Sequence, residues 1–284
     1  MSAAAPEAGL TETQVAVRSV AREVLGREAD WSELATAGLL SLAVPPALGG
    51  EGLGLADLSI LLHELGAAAS TLPVWETVVC GVLPVAAAGT AEQQERLLAG
   101  VAEGTTRLAP ALREPSVAIT ATPATEVVDG RVTGRKVGVT GADGAAHLLV
   151  TAVQDGRPVV ALVEPTAPGV TLLPSRTSRG VTSHTVVLDG APAEILGAEM
   201  LGAEVLGDGS VDAARLLREH ALAGLLALGG GVLAGARDLT AGYLTERVQF
   251  GRRLAEFQAV AMQIADVYVA SRMVKLAADN VVWR

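Results

Sequence analysis

Cysteine, aromatic residues and basic residues are all scarce in this chain of 284 residues. The single cysteine, Cys80, excludes a disulfide framework and a metal site built from cysteines alone. Aromatic residues make up only 2% of the chain, so its core must be built from Ala, Leu and Val. The formal net charge of −10 argues against a general nucleic-acid-binding protein. The four histidines show no metal-ligand spacing, so we expect no metal site.

Signals for secretion and for a membrane span are missing as well. The first ten residues contain Glu7 and no basic residue, unlike the basic start of a signal peptide. The longest uncharged helical stretch, residues 221–236, is shorter than the roughly 20 apolar residues that cross a bilayer. We therefore expect a cytoplasmic protein with no membrane span, in which this stretch is a buried helix.

Aliphatic residues are abundant, and their pattern changes twice along the chain. The sequence is 50% hydrophobic and 18% charged, which provides enough apolar surface to fold. Helical periodicity extends to about residue 106, with Thr90 and Gln93 spaced as a helix-capping box. Short runs rich in Val, Leu and Thr follow, separated by turn signals such as Asp189-Gly190, and long helices resume near residue 209. The sequence therefore predicts a multidomain α+β fold with an N-terminal all-α domain (1–106), a central antiparallel β-sandwich or barrel (107–208) and a C-terminal helical bundle (209–284).

The last predicted helix begins near Phe257 and carries an apolar stripe. No Gly, Pro or Asn follows it as a stop signal. We expect the C-terminal bundle to be incomplete, with partner helices supplied by an absent C-terminal segment or by another subunit. The stripe consists of Val260, Ile264, Val267, Ser271, Val274, Ala278 and Val281.

A glycine-rich stretch in the preceding helix matches a dinucleotide-binding pattern. Gly229, Gly231 and Ala234 have the spacing G-x-G-x-x-A. That fingerprint needs a strand before it and a helix that opens on it. Because these residues lie inside a helical run, we interpret them as a site of close helix packing.

A second candidate is the arginine corner, which we define as residues 246–258. It begins with the sequence ERVQFGRR and ends with Phe257-Gln258 at a new helix start. Guanidinium groups and a helix N-terminus together suit a diphosphate group. Residues 209–284 hold 9 Lys and Arg against 7 Asp and Glu, so an anionic ligand is expected to favour this part of the chain. A solvated corner between two helices is the alternative that spacing alone leaves open.

Three stretches together resemble the acyl-CoA dehydrogenase family. The arginine corner resembles the family's C-terminal signature, which places Arg, Gln or Thr, Phe and Gly before a Phe-Gln or His-Gln pair. Residues 44–54 with Glu64-Leu65-Gly66 resemble its N-terminal Pro…Gly-Gly-x-Gly…Glu-Leu segment. Residues 134–142 (GRKVGVTGA), followed by 146–150 (AHLLV), resemble its Gly-x-Lys-x-Trp-Ile-Thr-Asn segment. The order of helical, β and helical segments also agrees with the family's plan.

This resemblance implies an FAD between the β domain and the C-terminal helices, with its adenosine end clamped by a neighbouring subunit. It also implies α,β-dehydrogenation of an acyl-CoA thioester to the 2-enoyl-CoA, with an electron-transfer flavoprotein as the electron acceptor. By position, Arg247 would bind the pyrophosphate of the neighbour's FAD, and Gln249 and Phe250 would line the same corner. Gln258 would hydrogen-bond the cofactor. Thr140 would lie against the flavin ring, and Leu112 and Arg113 would meet the pyrimidine edge of that ring.

The chain departs from the family pattern at positions that matter for chemistry. The family's Ser-Asp pair is replaced by Ile119 and Thr120, and its flavin-shielding Trp by Gly138. The substrate-side Arg falls at Leu222, and the alternative helical Glu at Ala221. The commoner catalytic Glu belongs roughly ninety residues beyond Arg247 in the family, so no catalytic base is identifiable in these residues.

Two main hypotheses remain open at this point. The first is an acyl-CoA dehydrogenase whose last helices are absent from the given chain. The second is a non-catalytic subunit that pairs with another acyl-CoA dehydrogenase-type chain and completes that partner's FAD site. An oxygen-using flavoenzyme on the same fold is a third class that no residue favours.

Overall fold

The computed structural model describes residues 9–26, 29–178, 180–197 and 212–282. It confirms the predicted α+β class, with helices before and after a central sheet. A π-helical segment, Trp75–Val82, leads directly into the fourth α-helix. The α-helices are α1 (Glu12–Leu25), α2 (Trp31–Thr36), α3 (Leu55–Ala67), α4 (Leu83–Ala88), α5 (Ala91–Leu98), α6 (Ala213–Glu246) and α7 (Gln258–Val282).

Within the described residues, eight strands form one sheet and two more form a short hairpin. The strands are β1 (Leu108–Ala111), β2 (Glu126–Val128), β3 (Arg131–Thr140), β4 (His147–Gln154), β5 (Arg157–Val163), β6 (Val170–Arg176), β7 (Thr182–Pro192), β8 (Glu194–Ile195), β9 (Val248–Gln249) and β10 (Arg252–Arg253). The order in the sheet is β6-β7-β3-β2-β4-β5-β8, and β1 pairs with β4. Most pairs are antiparallel as predicted, but β1 and β2 each run parallel to β4. Since a parallel neighbour needs a crossover connection, the local turn signals did not reveal these pairs.

Local sequence signals set the helix starts and the hairpin turns. The Thr90 hydroxyl accepts a hydrogen bond from the Gln93 backbone N–H at 3.2 Å, and the Gln93 side chain accepts one from the Thr90 N–H at 3.1 Å, which confirms the capping box. Asp155 and Gly156 both have positive φ between β4 and β5, as a type I′ hairpin turn requires.

The Asp189-Gly190 pair is not a turn, which corrects the prediction. It lies inside β7, where two β7 residues oppose one β3 residue and form a β-bulge. Gly190 has φ +62°, and its N–H donates to the Thr133 hydroxyl at 3.2 Å. A bulge and a turn both use a left-handed glycine, so the sequence signal for the two is the same.

The chain packs into two compact units. The helical unit contains Met1–Ala29, Ala56–Ser70 and Leu226–Arg284. The mixed unit contains Asp30–Leu55 and Thr71–Leu225, and therefore the whole eight-stranded sheet. The core of the sheet is built almost entirely from Ala, Val and Leu, as the composition predicted. Cys80 is fully buried in the π-helical segment, as a small core residue.

Glycines let α3 and α6 pack backbone against backbone within the helical unit. A Cβ added at Gly231 would lie 1.9 Å from the His63 carbonyl oxygen, and one at Gly235 would lie 2.3 Å from the Ala67 carbonyl oxygen. The interpretation of this stretch as a packing site is therefore correct at Gly231. Gly229 has no neighbour within 4 Å and takes no part in the contact.

The expectation that residues 221–236 form a buried helix is only partly met. Ala221 is fully buried, whereas Leu225, Val232 and Leu233 are each more than 40% exposed. By length and composition α6 could cross a membrane, but the core helices of soluble proteins satisfy the same two criteria, so this is weak evidence.

The predicted stripe on α7 is largely the face that packs inward. Ser271 and Ala278 are buried, and Val260, Ile264 and Val274 are half-buried. A second apolar stripe lies on the opposite side of the helix and is exposed in the described part of the chain. It consists of Met262, Val269, Met273 and Leu276.

Candidate functional site

The arginine corner is a tight hairpin followed by the start of α7. Gln249 pairs with Arg252 across a two-residue turn made by Phe250 (φ +51°) and Gly251 (φ +80°). The Arg247 backbone is fixed at both ends, since its N–H donates to the Tyr243 carbonyl and its carbonyl accepts from the Leu254 N–H, both at 2.9 Å. The Arg247 side chain is therefore presented from a backbone that is hydrogen-bonded on both sides.

Aromatic contacts shape the same corner. The Arg252 guanidinium lies over the Phe257 ring at 4.4 Å from its centroid, and the Phe250 ring meets Phe257 edge to face at 6.4 Å. Phe250 is nevertheless 93% exposed. A left-handed backbone under a large, exposed aromatic side chain is unfavourable in a single chain, which makes Phe250 a candidate for contact with a ligand or another subunit.

The predicted corner residues lie together, and their chemistry fits a diphosphate. Arg247, Gln249 and Gln258 are all exposed, and the first turn of α7 carries no acidic side chain. The positive end of the α7 dipole and the arginines of this corner supply donors for an anion, and the exposed Glu246 and Glu256 add opposing charge nearby. This donor set fits the diphosphate of an FAD.

The predicted ring contacts form a second group, the β3-end cluster, which we define as Leu112, Arg113, Gly138 and Thr140. The Arg113 carbonyl accepts a hydrogen bond from the Val137 N–H at 2.8 Å, so the segment after β1 lies beside the end of β3. A Cβ added at Gly138 would meet only the Arg113 Nη1, at 3.7 Å. The space beside Gly138 is therefore open, which fits a planar ring.

The left-handed glycine at 138 has a structural cause. Val137 and Gly138 of β3 together oppose Thr185 of β7, because Lys136 pairs with Val186 and the next pairing joins Val139 to His184. Gly138 has φ +67° in this bulge, a conformation that disfavours the large aromatic residue expected from the family pattern.

Sequence reasoning gave no role to a buried ion pair beneath this cluster. The Lys136 ammonium donates to the Glu114 carboxylate at 2.6 Å, and both side chains are buried. Burial alone would raise the pKa of Glu114, but hydrogen bonds from Lys136, Thr125 and Ala124 outweigh it and lower that pKa. Burial also lowers the pKa of Lys136, and its bond to Glu114 opposes that change. The alternation of β3 could have indicated that Lys136 is buried, because this residue occupies one of the inward positions of the strand.

The positions where the family resemblance predicts a substrate-side arginine and a helical base, Leu222 and Ala221, hold apolar residues. Ala221 is fully buried, and its carbonyl accepts a hydrogen bond from the Trp75 indole N–H at 3.1 Å. A Cβ added at Gly224, one turn further along, would lie 3.0 Å from the same indole. Trp75 thus lies directly on the α6 backbone where the family pattern would place a carboxylate, and Leu222 beside it is 37% exposed. The described residues include no group of three or more His, Cys, Asp or Glu that could hold a metal ion.

Comparison with known proteins gives these features a common origin. Residues 10–105 match the acyl-CoA dehydrogenase N-terminal domain, and residues 207–284 match the acyl-CoA dehydrogenase C-terminal domain. The acyl-CoA dehydrogenase FadE28 of Mycobacterium tuberculosis is 41% identical over 277 residues, which cover 96% of this chain and 76% of that protein.

Solved structures that are similar to this chain indicate the same family. A variant of the Tcur3481–Tcur3483 steroid acyl-CoA dehydrogenase is 36% identical with a TM-score of 0.82, covering 96% of this chain and 76% of that one. The ChsE4–ChsE5 complex from Mycobacterium tuberculosis is 26% identical with a TM-score of 0.83, covering 97% and 78%. Sequence identity, domain matches and fold together show that this chain belongs to the acyl-CoA dehydrogenase family, whose members are flavoprotein oxidoreductases of lipid metabolism.

Proposed function

We propose that this chain is a subunit of a flavin-dependent acyl-CoA dehydrogenase built from two kinds of subunit, and that it contributes FAD-binding surface rather than the catalytic base. The assembly would convert an acyl-CoA thioester to the 2-enoyl-CoA in the cytoplasm, with an electron-transfer flavoprotein as acceptor. The observation that carries this proposal is the contrast between an intact arginine corner and a base position filled by Ala221 beneath Trp75.

The FAD-binding role is supported by the donor set of each group. In the corner, Arg247 offers a bidentate guanidinium to a pyrophosphate, and Gln258 offers an amide at the helix start. In the β3-end cluster, Thr140 ends a strand beside open space, where its hydroxyl can donate to a ring. When bound, FAD would supply the hydride acceptor of the reaction.

The non-catalytic role is supported by the residue found at the alternative helical base position, Ala221. A general base must reach the proton that it removes within hydrogen-bonding distance. Ala221 has no ionisable group, and the adjoining Trp75 indole covers it. The similar Tcur3481–Tcur3483 and ChsE4–ChsE5 structures are each named for two components, which supports an assembly of unlike subunits here.

The proposal predicts the effect of removing one guanidinium. In the complex purified from the native host, Arg247→Ala should weaken FAD binding about 10- to 100-fold, because charge-assisted hydrogen bonds contribute about 1.5–3 kcal/mol. Arg215→Ala is the matched control, since Arg215 is an exposed arginine paired with Glu219 on α6. FAD titration followed by flavin fluorescence measures both. Equal affinity of the two variants would refute the role of the corner.

A second candidate function is a self-sufficient dehydrogenase with its base beyond residue 284. The observation in its favour is that this chain covers 76% of the length of FadE28. The two candidates differ in what the native protein does when purified without any other subunit. One flavin per chain that is bleached by acyl-CoA would establish the second candidate, whereas bleaching that requires another subunit would establish the first.

A further inference from the structure

The pair Glu114–Lys136 is the centre of a buried polar network in the mixed unit. Lys136 is 0% exposed and Glu114 is 8% exposed. Besides Lys136, the Glu114 carboxylate accepts hydrogen bonds from the Thr125 hydroxyl at 2.6 Å, the Thr125 N–H at 3.0 Å and the Ala124 N–H at 2.7 Å. Every oxygen of this carboxylate is therefore satisfied, which holds the charge ionised in the interior.

Both ends of the network are tied to the backbone of the β3-end cluster. The Lys136 ammonium donates to the Thr151 hydroxyl at 3.1 Å, and that hydroxyl donates to the Leu112 carbonyl at 3.3 Å. Glu114 follows Arg113 directly, and the residue after Lys136 donates its N–H to the Arg113 carbonyl at 2.8 Å. The network thus joins the segment after β1 to the end of β3 at three successive residues.

Stability alone does not account for a charged pair at this place. A buried ion pair gains little over well-packed apolar residues of the same volume, because taking both charges out of water is costly. What apolar residues cannot do is fix two strands at one separation through directional bonds. Here the bonds fix the separation between residues 112–113 and the strand that leads to Thr140.

We propose that Glu114 and Lys136 are positioning residues that hold Leu112–Arg113 and the end of β3 at the spacing that a flavin ring requires. They act through the backbone and do not touch the cofactor themselves. This inference rests on the proposed function, because it takes the β3-end cluster as the place of the ring.

The test removes both charges at once and compares the result with a cavity made elsewhere in the core of the same sheet. In the native complex, the double variant Glu114→Gln/Lys136→Met leaves no unpaired charge in the interior. The matched control is Val163→Ala, a fully buried residue of β5 that has no described bond to this network. Each protein is titrated with FAD, and the vibronic structure of the visible flavin band is recorded.

We expect at least a tenfold loss of FAD affinity and a blurred flavin band in the double variant, with less than a twofold change in the control. A second measurement is independent of flavin. Hydrogen exchange at the Val137 N–H, which bonds to the Arg113 carbonyl, should accelerate at least tenfold in the double variant and stay unchanged in the control.

The outcomes separate the two proposals. If the wild-type complex binds FAD and the double variant binds it equally well, the positioning role is wrong and the proposed function survives. If Val163→Ala loses as much affinity as the double variant, the effect is one of stability and the positioning role is again wrong. If the wild-type complex binds no FAD, the proposed function fails first and this inference falls with it.

Discussion

A single methyl group at Gly231 should separate two helices of the helical unit. The Cβ of Gly231→Ala would lie 1.9 Å from the His63 carbonyl oxygen, 2.8 Å from the His63 carbonyl carbon and 3.0 Å from the Ala67 nitrogen. All three are backbone atoms of α3, so no side chain can rotate away. Contacts below 3.0 Å are essentially unknown for a real Cβ, so the gap at the carbonyl oxygen must open by about 1.1 Å.

The expected change in the free energy of unfolding is the balance of two opposing effects. Replacing glycine by alanine in a helix interior stabilises by about 1 kcal/mol, because the unfolded chain loses freedom. Overpacking a well-packed contact costs about 1–3 kcal/mol, and the separation of α3 from α6 also weakens the contact at Gly235. Because the contact is with backbone atoms that cannot rotate away, we place the cost near the upper end of that range and expect Gly231→Ala to lower the free energy of unfolding by about 2 kcal/mol.

The control lies on the same helix two residues away. Gly229 has no neighbour within 4 Å, so Gly229→Ala should keep only the helix-propensity gain and stabilise by about 0.5–1 kcal/mol. Urea unfolding followed by circular dichroism measures both variants under identical conditions. The reasoning is refuted if Gly231→Ala proves as stable as Gly229→Ala, since the backbone contact would then not exist.

Three further perturbations follow from other contacts. Phe250→Gly removes the strain of a left-handed backbone at a residue that is 93% exposed. Thermal unfolding should therefore show a stability that is unchanged or higher by about 1 kcal/mol, while FAD titration should show weaker binding. A clear loss of stability would contradict this prediction. Thr90→Ala removes the cap on Gln93 and should cost about 1 kcal/mol in urea unfolding, whereas Thr90→Ser should cost much less; equal losses would argue against the cap. Burial and the nearby Arg96 lower the pKa of His147, so the unfolded chain binds a proton at this residue more readily than the folded chain does. The contribution of neutral His147 to the free energy of unfolding is therefore present above pH 6.5 and is lost as the pH falls below it. His147→Asn should flatten that dependence, and an unchanged slope in pH-dependent unfolding would rule out this histidine as its source.

Features that depend on neighbours a few residues apart could be predicted from the sequence. The capping box at Thr90 joins positions three residues apart, and the tight turn at Asp155-Gly156 needs two adjacent residues that accept positive φ. The arginine corner is similar, since its hairpin and helix start span residues 246–258. Such features are determined by residues that lie close together in the sequence, so a short stretch is enough to predict them.

Features that join distant parts of the chain could not be predicted in this way. Lys136 lies 22 residues from Glu114, and nothing in either local sequence indicates that a bond joins them. Trp75 lies 146 residues from Ala221, so the cover over the base position also became visible only in the fold. The exposed stripe on α7 was missed for a different reason, because both sides of that helix are apolar and periodicity alone does not say which side packs.

At Gly138 and Ala221, the neighbouring residues also disfavour the residue that the family pattern has there. A single substitution back to the family residue would therefore not recover its role. A tryptophan at Gly138 would have to adopt φ +67° in the β-bulge against β7, a conformation that costs a bulky residue about 1–2 kcal/mol. A glutamate at Ala221 would place its carboxylate beneath the Trp75 indole, where burial favours the protonated form over the base. The arginine corner shows no such adaptation, since its hairpin keeps a strained, exposed Phe250 that the single chain does not need. Under the proposed function, the exposed Phe250 is explained by a contact with another subunit or its cofactor, and Ala221 by a base that another subunit supplies.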